Sequence, residues 1–450
     1  MDFQSGDLTQ GNITKKLIVF AIPFMLANFV QALYGTVDTM VIGWWGSASG
    51  IAAISTGSQV IQMLTSLVSG LTMGGTILIG QYCGAKRTED TSKTIGTTLT
   101  MFGIVSIAFT IIMLVANRGI LTLLQTPAEA FKEAYDYVFI CSLGIIFIFI
   151  YNAISSILRG LGDSKSPLIF VAVACIVNIV LDIAFVGGLK MGAAGAALAT
   201  VIAQAVSVLL SVVFLVRRKF IFDFKLKSFR IDRAKAARII RLGLPVSLQE
   251  TMSSLSFLLI AAIVNSLGVV TAAAVGISNK FEGYAMLPAT AFCMAISSMT
   301  AQNMGAGKPE RSMKCFKIGT AIAFGFGVLF FIWGQLAPES IMYIFGADAE
   351  VAAAGAQYLH SFSIDFMMVA FAFCMNGFFN GCGSTTFTMI NGLSAALIVR
   401  VPLAFFLSRI IPDSLFGIGL AAPAASVFSI ILGAIYLRTG RWKNQNIIDG

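Results

Sequence analysis

Apolar runs of about 20 residues or more follow one another along almost all of the 450 residues. At a rise of 1.5 Å per residue, about 20 residues cross a hydrocarbon core of about 30 Å. Lipid offers no partner to a backbone N–H or C=O, so a crossing segment has to satisfy its own hydrogen bonds as a helix. Twelve such spans are expected, at about 17–43, 51–80, 94–116, 134–158, 166–187 and 193–216, then 241–267, 271–300, 316–338, 355–379, 387–410 and 416–437. Only 11% of residues are charged and mean hydropathy is +0.87, whereas soluble domains carry roughly 25% charged residues. The opening Met1–Thr14 is polar, and no cleavable signal peptide is expected there.

The chain is also written twice. Gln81-Tyr82-Cys83-Gly84-Ala85-Lys86 returns as Gln302-Asn303-Met304-Gly305-Ala306-Gly307. The same spacing carries Arg159-Gly160-Leu161-Gly162-Asp163-Ser164 onto Asn380-Gly381-Cys382-Gly383-Ser384-Thr385, and Ala128-Glu129 onto Ala349-Glu350. With a slip of one residue, Pro23 falls on Pro245. The fold expected is all-α and membrane-embedded: twelve transmembrane helices in two pseudo-symmetric six-helix lobes. The amino-terminal lobe is 1–216, a basic linker is 217–240, and the carboxy-terminal lobe is 241–450. Six spans per half is an even number, so the repeats run parallel, an arrangement found in transporters that bind substrate between the repeats.

A net charge of +9 invites a nucleic-acid reading, but the charges follow membrane topology. With the amino terminus in the cytoplasm, 24 of the 30 Lys and Arg fall in cytoplasmic segments, as the positive-inside rule requires. Arg118, Lys132, Lys190 and Arg409 lie in or beside outer loops. The polar stretch Arg217–Arg241 between the halves holds ten basic residues, among them Arg218 and Lys219, and is expected along lipid headgroups rather than on DNA. Both termini are then cytoplasmic, and Trp44 and Trp45 mark the outer interface. The seven cysteines include no Cys-x-x-Cys, so neither a disulfide framework nor a zinc site is suggested. The single His360 has no partner pattern.

A charge within a span costs upward of about 2.5 kcal/mol and marks a pathway by default. Asp38, Asp182, Glu250, Lys280, Glu282, Asp365 and Arg400 qualify. In the first half, Asp38 and Asp182 each lie roughly 8–9 Å below the outer interface by helical rise. Asn178 shares the helix face of Asp182, and Thr200 falls at a similar depth. Two carboxylates, an amide and a hydroxyl at one level suit a proton or a hard cation such as Na+, which relieves like-charge repulsion between the aspartates. The bland alternative has Asn178 and Thr200 bonded to backbone and one aspartate in a wet vestibule. The second half has Ile260 and Leu403 at the positions equivalent to Asp38 and Asp182. Its charges, Glu250, Lys280, Glu282, Asp365 and Arg400, form either a substrate-facing or gating cluster or a set of structural ion pairs. Pro23, in the inner part of the first span, interrupts a backbone bond and bends the helix.

The run Ile22-Pro23-Phe24, Asn28, Gln31, Val37-Asp38, Ile42-Gly43 resembles the first helix of the multidrug and toxic compound extrusion (MATE) family. Gln81…Gly84-Ala85-Lys86, Arg159-Gly160-Leu161-Gly162-Asp163 and Gly243-Leu244-Pro245 are similar to its later signatures, so the resemblance covers essentially the whole chain. It implies two six-helix lobes around a cavity and export of amphipathic, often cationic organic compounds against H+ or Na+. It also implies a coupling-cation site at Asp38, Asn178, Asp182 and Thr200, with Gln31 lining the cavity. Glu250 and Asp365 each fall about one turn earlier than the pattern of relatives with a carboxy-lobe cation site, which favours the amino-lobe site. No cofactor and no structural metal are expected. The expected partners are small organic substrates and the bilayer, not nucleic acid, with the protein a monomer in the bacterial inner membrane. The rivals are a lipid-linked precursor flippase, which would want a larger cationic groove; a major-facilitator carrier, whose basic signature after span two is missing from Tyr82–Lys93; and a membrane enzyme, for which no metal cluster or nucleophile motif is present.

Overall fold

The computed structural model describes residues 6–217, 220–410, 415–445 and 447–448; Arg218 and Lys219 of the basic segment lie outside these. Among the described residues the structure is helical, in the order α1 (Ile13–Trp45), α2 (Ala48–Gly84), α3 (Thr88–Leu123), α4 (Ala128–Leu143), α5 (Ile145–Gly160), α6 (Lys165–Asp182), α7 (Gly192–Arg217), α8 (Arg233–Asn265) and α9 (Val269–Ala285). There follow α10 (Leu287–Gly305), α11 (Pro309–Leu336), α12 (Pro338–Ile344), α13 (Ala349–Phe362), α14 (Ile364–Cys382), α15 (Thr385–Leu393), α16 (Val401–Ile410), α17 (Leu415–Gly419) and α18 (Ala421–Thr439). Among the described residues eleven helices or continuous helical stretches are long and apolar enough to cross a membrane, or 12 with the bent pair α4–α5 taken as one span. The expected twelve-span helical fold is therefore the one observed. Several helices overrun their apolar runs. The α8 helix begins at Arg233, because helical hydrogen bonding continues past the point where lipid stops selecting for apolar side chains.

The chain forms two compact units, Leu26–Gly243 in one, Met1–Met25 with Leu244–Gly450 in the other. The first is built on α2 packed with α4 and α5, and on α7 with α4 and α6. Its interior includes Ile42, Ile54, Phe102, Val138 and Phe149. The second is built on α10, α11 and α14, with Leu17, Phe292, Ile296, Phe378 and Trp442 among its buried side chains. Helix crossings are close in both. A Cβ on Gly243 of α8 would lie 2.2 Å from the Leu71 carbonyl oxygen of α2, and one on Gly377 of α14 would lie 2.2 Å from that of Cys293 in α10.

The sequence repeat returns as repeated helix ends. At the close of α2, Lys86 (φ 58°) takes the left-handed conformation, with Lys86 N bonded to Cys83 O and Arg87 N to Tyr82 O. After α10, Gly307 (φ 68°) does the same, with Gly307 N to Met304 O and Lys308 N to Asn303 O. Gly162 and Gly383 form a second such pair, at φ 86° and 89°. These are Schellman-type closures, which satisfy the last carbonyls of a helix.

Each Gln-containing turn region also holds the start of a half: the chain leading into α1 in one unit, the first turns of α8 in the other. In the second unit Leu8 N donates to Gln302 Oε1 at 3.0 Å, and Asn303 Nδ2 donates to Leu8 O at 3.3 Å. Lys308 donates to Thr9 O, and Arg311 to Gln10 O and Gly11 O. In the first unit, Arg238 donates to the Tyr82 hydroxyl at 2.9 Å. Lys235, 6% exposed, pairs with Asp90 at 2.8 Å and lies 4.5 Å from the centre of the Tyr82 ring. Phe222 is buried among Phe224 and Phe229.

Candidate functional site

Three helices of the first unit bring polar side chains into its apolar interior. Asp38, in α1, is 4% exposed; Asn178 and Asp182, one turn apart on α6, are fully buried; Thr200, in α7, is half-buried. The Thr200 hydroxyl donates to Asp38 Oδ2 at 3.3 Å. Asp182 and Asn178 interact with Asp38, and with each other. Little else satisfies them. Asp38 Oδ1, both Asp182 carboxylate oxygens and both polar atoms of the Asn178 amide are buried with no hydrogen-bond partner. Uncompensated buried carboxylate oxygens are costly, and neutralising their charge removes that cost. The donors are all oxygen, which suits a proton or a hard monovalent cation. Among the described residues no group of three or more His, Cys, Asp or Glu collects for a divalent or transition metal.

Local backbone helps to aim the set. Asp182 ends regular α6, and the next residues, Ile183–Gly188, form a π-helical turn. Such a turn inserts a residue into the helical phase and occurs often at functional sites. Gly187 of this turn abuts the Trp45 ring at the end of α1. Neither the π turn nor the nearness of Cys141 and Cys175 to Asp38 has a signal in the sequence. Pro23 is buried within α1, which runs on through it, and Gln31 is exposed.

The five charged residues of the second half are not all together. Glu282, Asp365 and Arg400 interact with one another in the second unit. Lys280 and Glu250 are exposed and make no ion pair among the described residues. Lys280 is two positions from Glu282 on α9, a spacing at which helix side chains do not face each other. His360 is half-buried beside a cavity of about 630 Å³ that also touches Gln335, Gln357 and Phe416.

Two helical halves with matching turns, apolar spans and clustered buried charges fit a secondary transporter of the membrane rather than an enzyme. A family model described as MatE matches the chain twice, over 23–184 and again over 245–406, and the chain belongs to that family. The two matches coincide with the internal repeat. Two relatives from Bacillus subtilis (strain 168), both named as probable multidrug resistance proteins, are 28% identical. YpnP aligns over 98% of this chain and 98% of its own length, and YoeA over 97% and 96%. A solved structure titled as the outward-facing conformation of a multidrug resistance MATE family transporter superposes with a TM-score of 0.91 at 23% identity, covering 98% of this chain and 99% of that one.

Proposed function

We propose that this protein is a cation-coupled antiporter that exports amphipathic, often cationic organic compounds across the bacterial inner membrane by alternating access, with H+ or Na+ entering at Asp38, Asn178, Asp182 and Thr200. The observation that carries the reading is the pair of buried carboxylates with unpartnered oxygens in a charge-poor helical unit. A cation there neutralises charge that the apolar surroundings penalise. Coupling requires each ligand to favour a different facing state. In this scheme the bound cation favours return to the inward-facing form and substrate favours export. Pro23 gives α1, the helix that carries Asp38, a weak point at which cation occupancy alters helix shape. The names of the relatives favour drug export over the lipid-linked precursor flippase. The charge distribution supports cytoplasmic termini, and the protein acts as a monomer with no cofactor.

The test is efflux of a fluorescent organic cation from vesicles under an imposed gradient, comparing wild type with D38N. The expected result is loss of gradient-driven efflux in D38N. Full activity in that variant rules out the coupling role.

A further inference from the structure

The basic stretch between the halves is pinned to α3 of the first unit. Its 3₁₀ turn, Leu226–Ser228, lies directly on that helix. A Cβ on Gly96 would come within 2.4 Å of the Ser228 carbonyl oxygen and 2.9 Å of the Phe222 ring. The Thr97 hydroxyl donates to Arg230 O at 3.4 Å and accepts from Asp232 N at 3.1 Å. Phe222 is buried in this contact, with Phe224 and Phe229 edge-on to it. The side chains from 228 to 232 therefore start from a fixed backbone.

Between this stretch and the second turn of α3 lies a cleft of about 320 Å³. Lys93, Lys227 and Arg230 line it, together with Ser92 and Ser228. Phe222 and Ile231 supply its apolar part, and Ile231 is 42% exposed. The acids nearby are engaged. Asp232, also in the lining, caps α8 by accepting from Ala234 N at 3.0 Å and Lys235 N at 3.1 Å. Glu89, one turn earlier on α3, pairs with Lys93 at 2.6 Å. Asp223 lies 3.8 Å from Lys225 and interacts with Ser228. Lys227 and Arg230 are exposed and make no ion pair among the described residues. Lys93, Lys227 and Arg230 set against Asp232 and Glu89 leave one positive charge, which a phosphodiester monoanion cancels. An arginine fork and a lysine ammonium both suit phosphate oxygens.

Ser92 and Lys93 directly precede the apolar run of α3 at about 94–116, so the cleft sits where hydrocarbon gives way to headgroups. The charge distribution puts this side of the membrane in the cytoplasm, where anionic lipids attract basic segments. Exposed Ile231 beside the cations offers surface that a glycerol and upper acyl chain can cover and a free phosphate cannot.

We propose that this cleft binds the phosphodiester group of one anionic phospholipid, with Lys227 and Arg230 on the phosphate oxygens, Ser92 as a hydroxyl donor and Ile231 against the glycerol and upper acyl chain. The frame exists before the lipid arrives, which lowers the cost of binding. Diffuse attraction to headgroups makes all the basic side chains equivalent; the cleft sets Lys227 and Arg230 apart from Lys225 and Arg233, which carry the same charge outside it. The site is independent of the cation-coupling reading.

The test is native mass spectrometry of the full-length protein in detergent, titrated with phosphatidylglycerol or phosphatidylcholine, with inorganic phosphate as competitor. Two double variants remove equal charge: K227Q/R230Q within the cleft and K225Q/R233Q beside it. Wild type is expected to retain one phosphatidylglycerol at concentrations where phosphatidylcholine is lost. K227Q/R230Q is expected to raise the half-saturating phosphatidylglycerol concentration about tenfold or more, while K225Q/R233Q stays within about threefold of wild type. Equal retention of the two lipids by wild type overturns the proposal without any variant. Equal losses in the two double variants also overturn it, because the effect is then one of net charge. Displacement of the lipid by millimolar inorganic phosphate overturns the assignment to phospholipid.

Discussion

Replacing Asp182 with Asn removes one of two buried negative charges while keeping the shape of the side chain. Asp182 is fully buried, and its oxygens have no hydrogen-bond partner to lose, so the main effect is electrostatic. For two unit charges about 4 Å apart at an effective dielectric constant of about 20, the interaction is roughly 4 kcal/mol. With about 1.4 kcal/mol per tenfold change, D182N is expected to raise the half-saturating concentration of the driving cation by up to about three decades. The hydroxyl of Thr200 contributes a single hydrogen bond to Asp38, worth about 1 kcal/mol. T200V is therefore expected to shift the same quantity by only about fivefold. The assay is the initial rate of efflux from proteoliposomes against cation concentration, with a pH gradient and a Na+ gradient imposed in separate experiments. A D182N half-saturation within about threefold of wild type under both gradients refutes the argument, as does a larger effect in T200V than in D182N.

Further expectations concern the scaffold. Burial works against the Asp7 charge, but hydrogen bonds from the Thr9 side chain and backbone, with Lys16 and Lys308 nearby, hold its carboxyl below the usual range. A depressed carboxyl contributes stability that is present above its unfolded value, about 3.9, and lost as pH falls through the folded one. Hydrogen exchange should accordingly show residues 7–11 protected at neutral pH and released in acid, with D7N weakening that protection at neutral pH. R311Q, which removes donors to two carbonyls of the same stretch, should raise exchange there at every pH. G243A and G377A each force a methyl group into a neighbouring carbonyl 2.2 Å away; overpacking of this kind costs about 1–3 kcal/mol, and both should lower the melting temperature in detergent while changes at exposed Gly283 do not.

The spans and the candidate polar cluster of the amino-terminal half are legible in the sequence for one reason. Polar atoms are expensive in lipid, so Asp38 and Asp182 stand out against their apolar neighbours, and helical rise sets them at one depth. What was not legible depends on helix phase and on backbone. The π turn after Asp182 is spelled Ile-Ala-Phe-Val-Gly-Gly and has no compositional mark. The breaks at Met286 and Ser363, together with the turn that ends at Arg400, select three of the five carboxy-half charges and leave Lys280 and Glu250 apart. The Gln turns are plain in the sequence as a repeat, but the hold of the second on Leu8 runs through the backbone atoms of Leu8, which any residue supplies. The scaffold is thus duplicated while the charges are not: Ile260 and Leu403 stand in the second half at the positions equivalent to Asp38 and Asp182.

The central claim, that a cation and substrate compete through the Asp38–Asp182 pair, is tested most directly by adding a saturating organic cation to purified protein in lightly buffered detergent and measuring the H+ or Na+ released. Wild type is expected to release the cation, and D38N and D182N to release markedly less. Equal release from all three proteins contradicts the account, and so does the absence of release from a wild-type protein that binds the substrate.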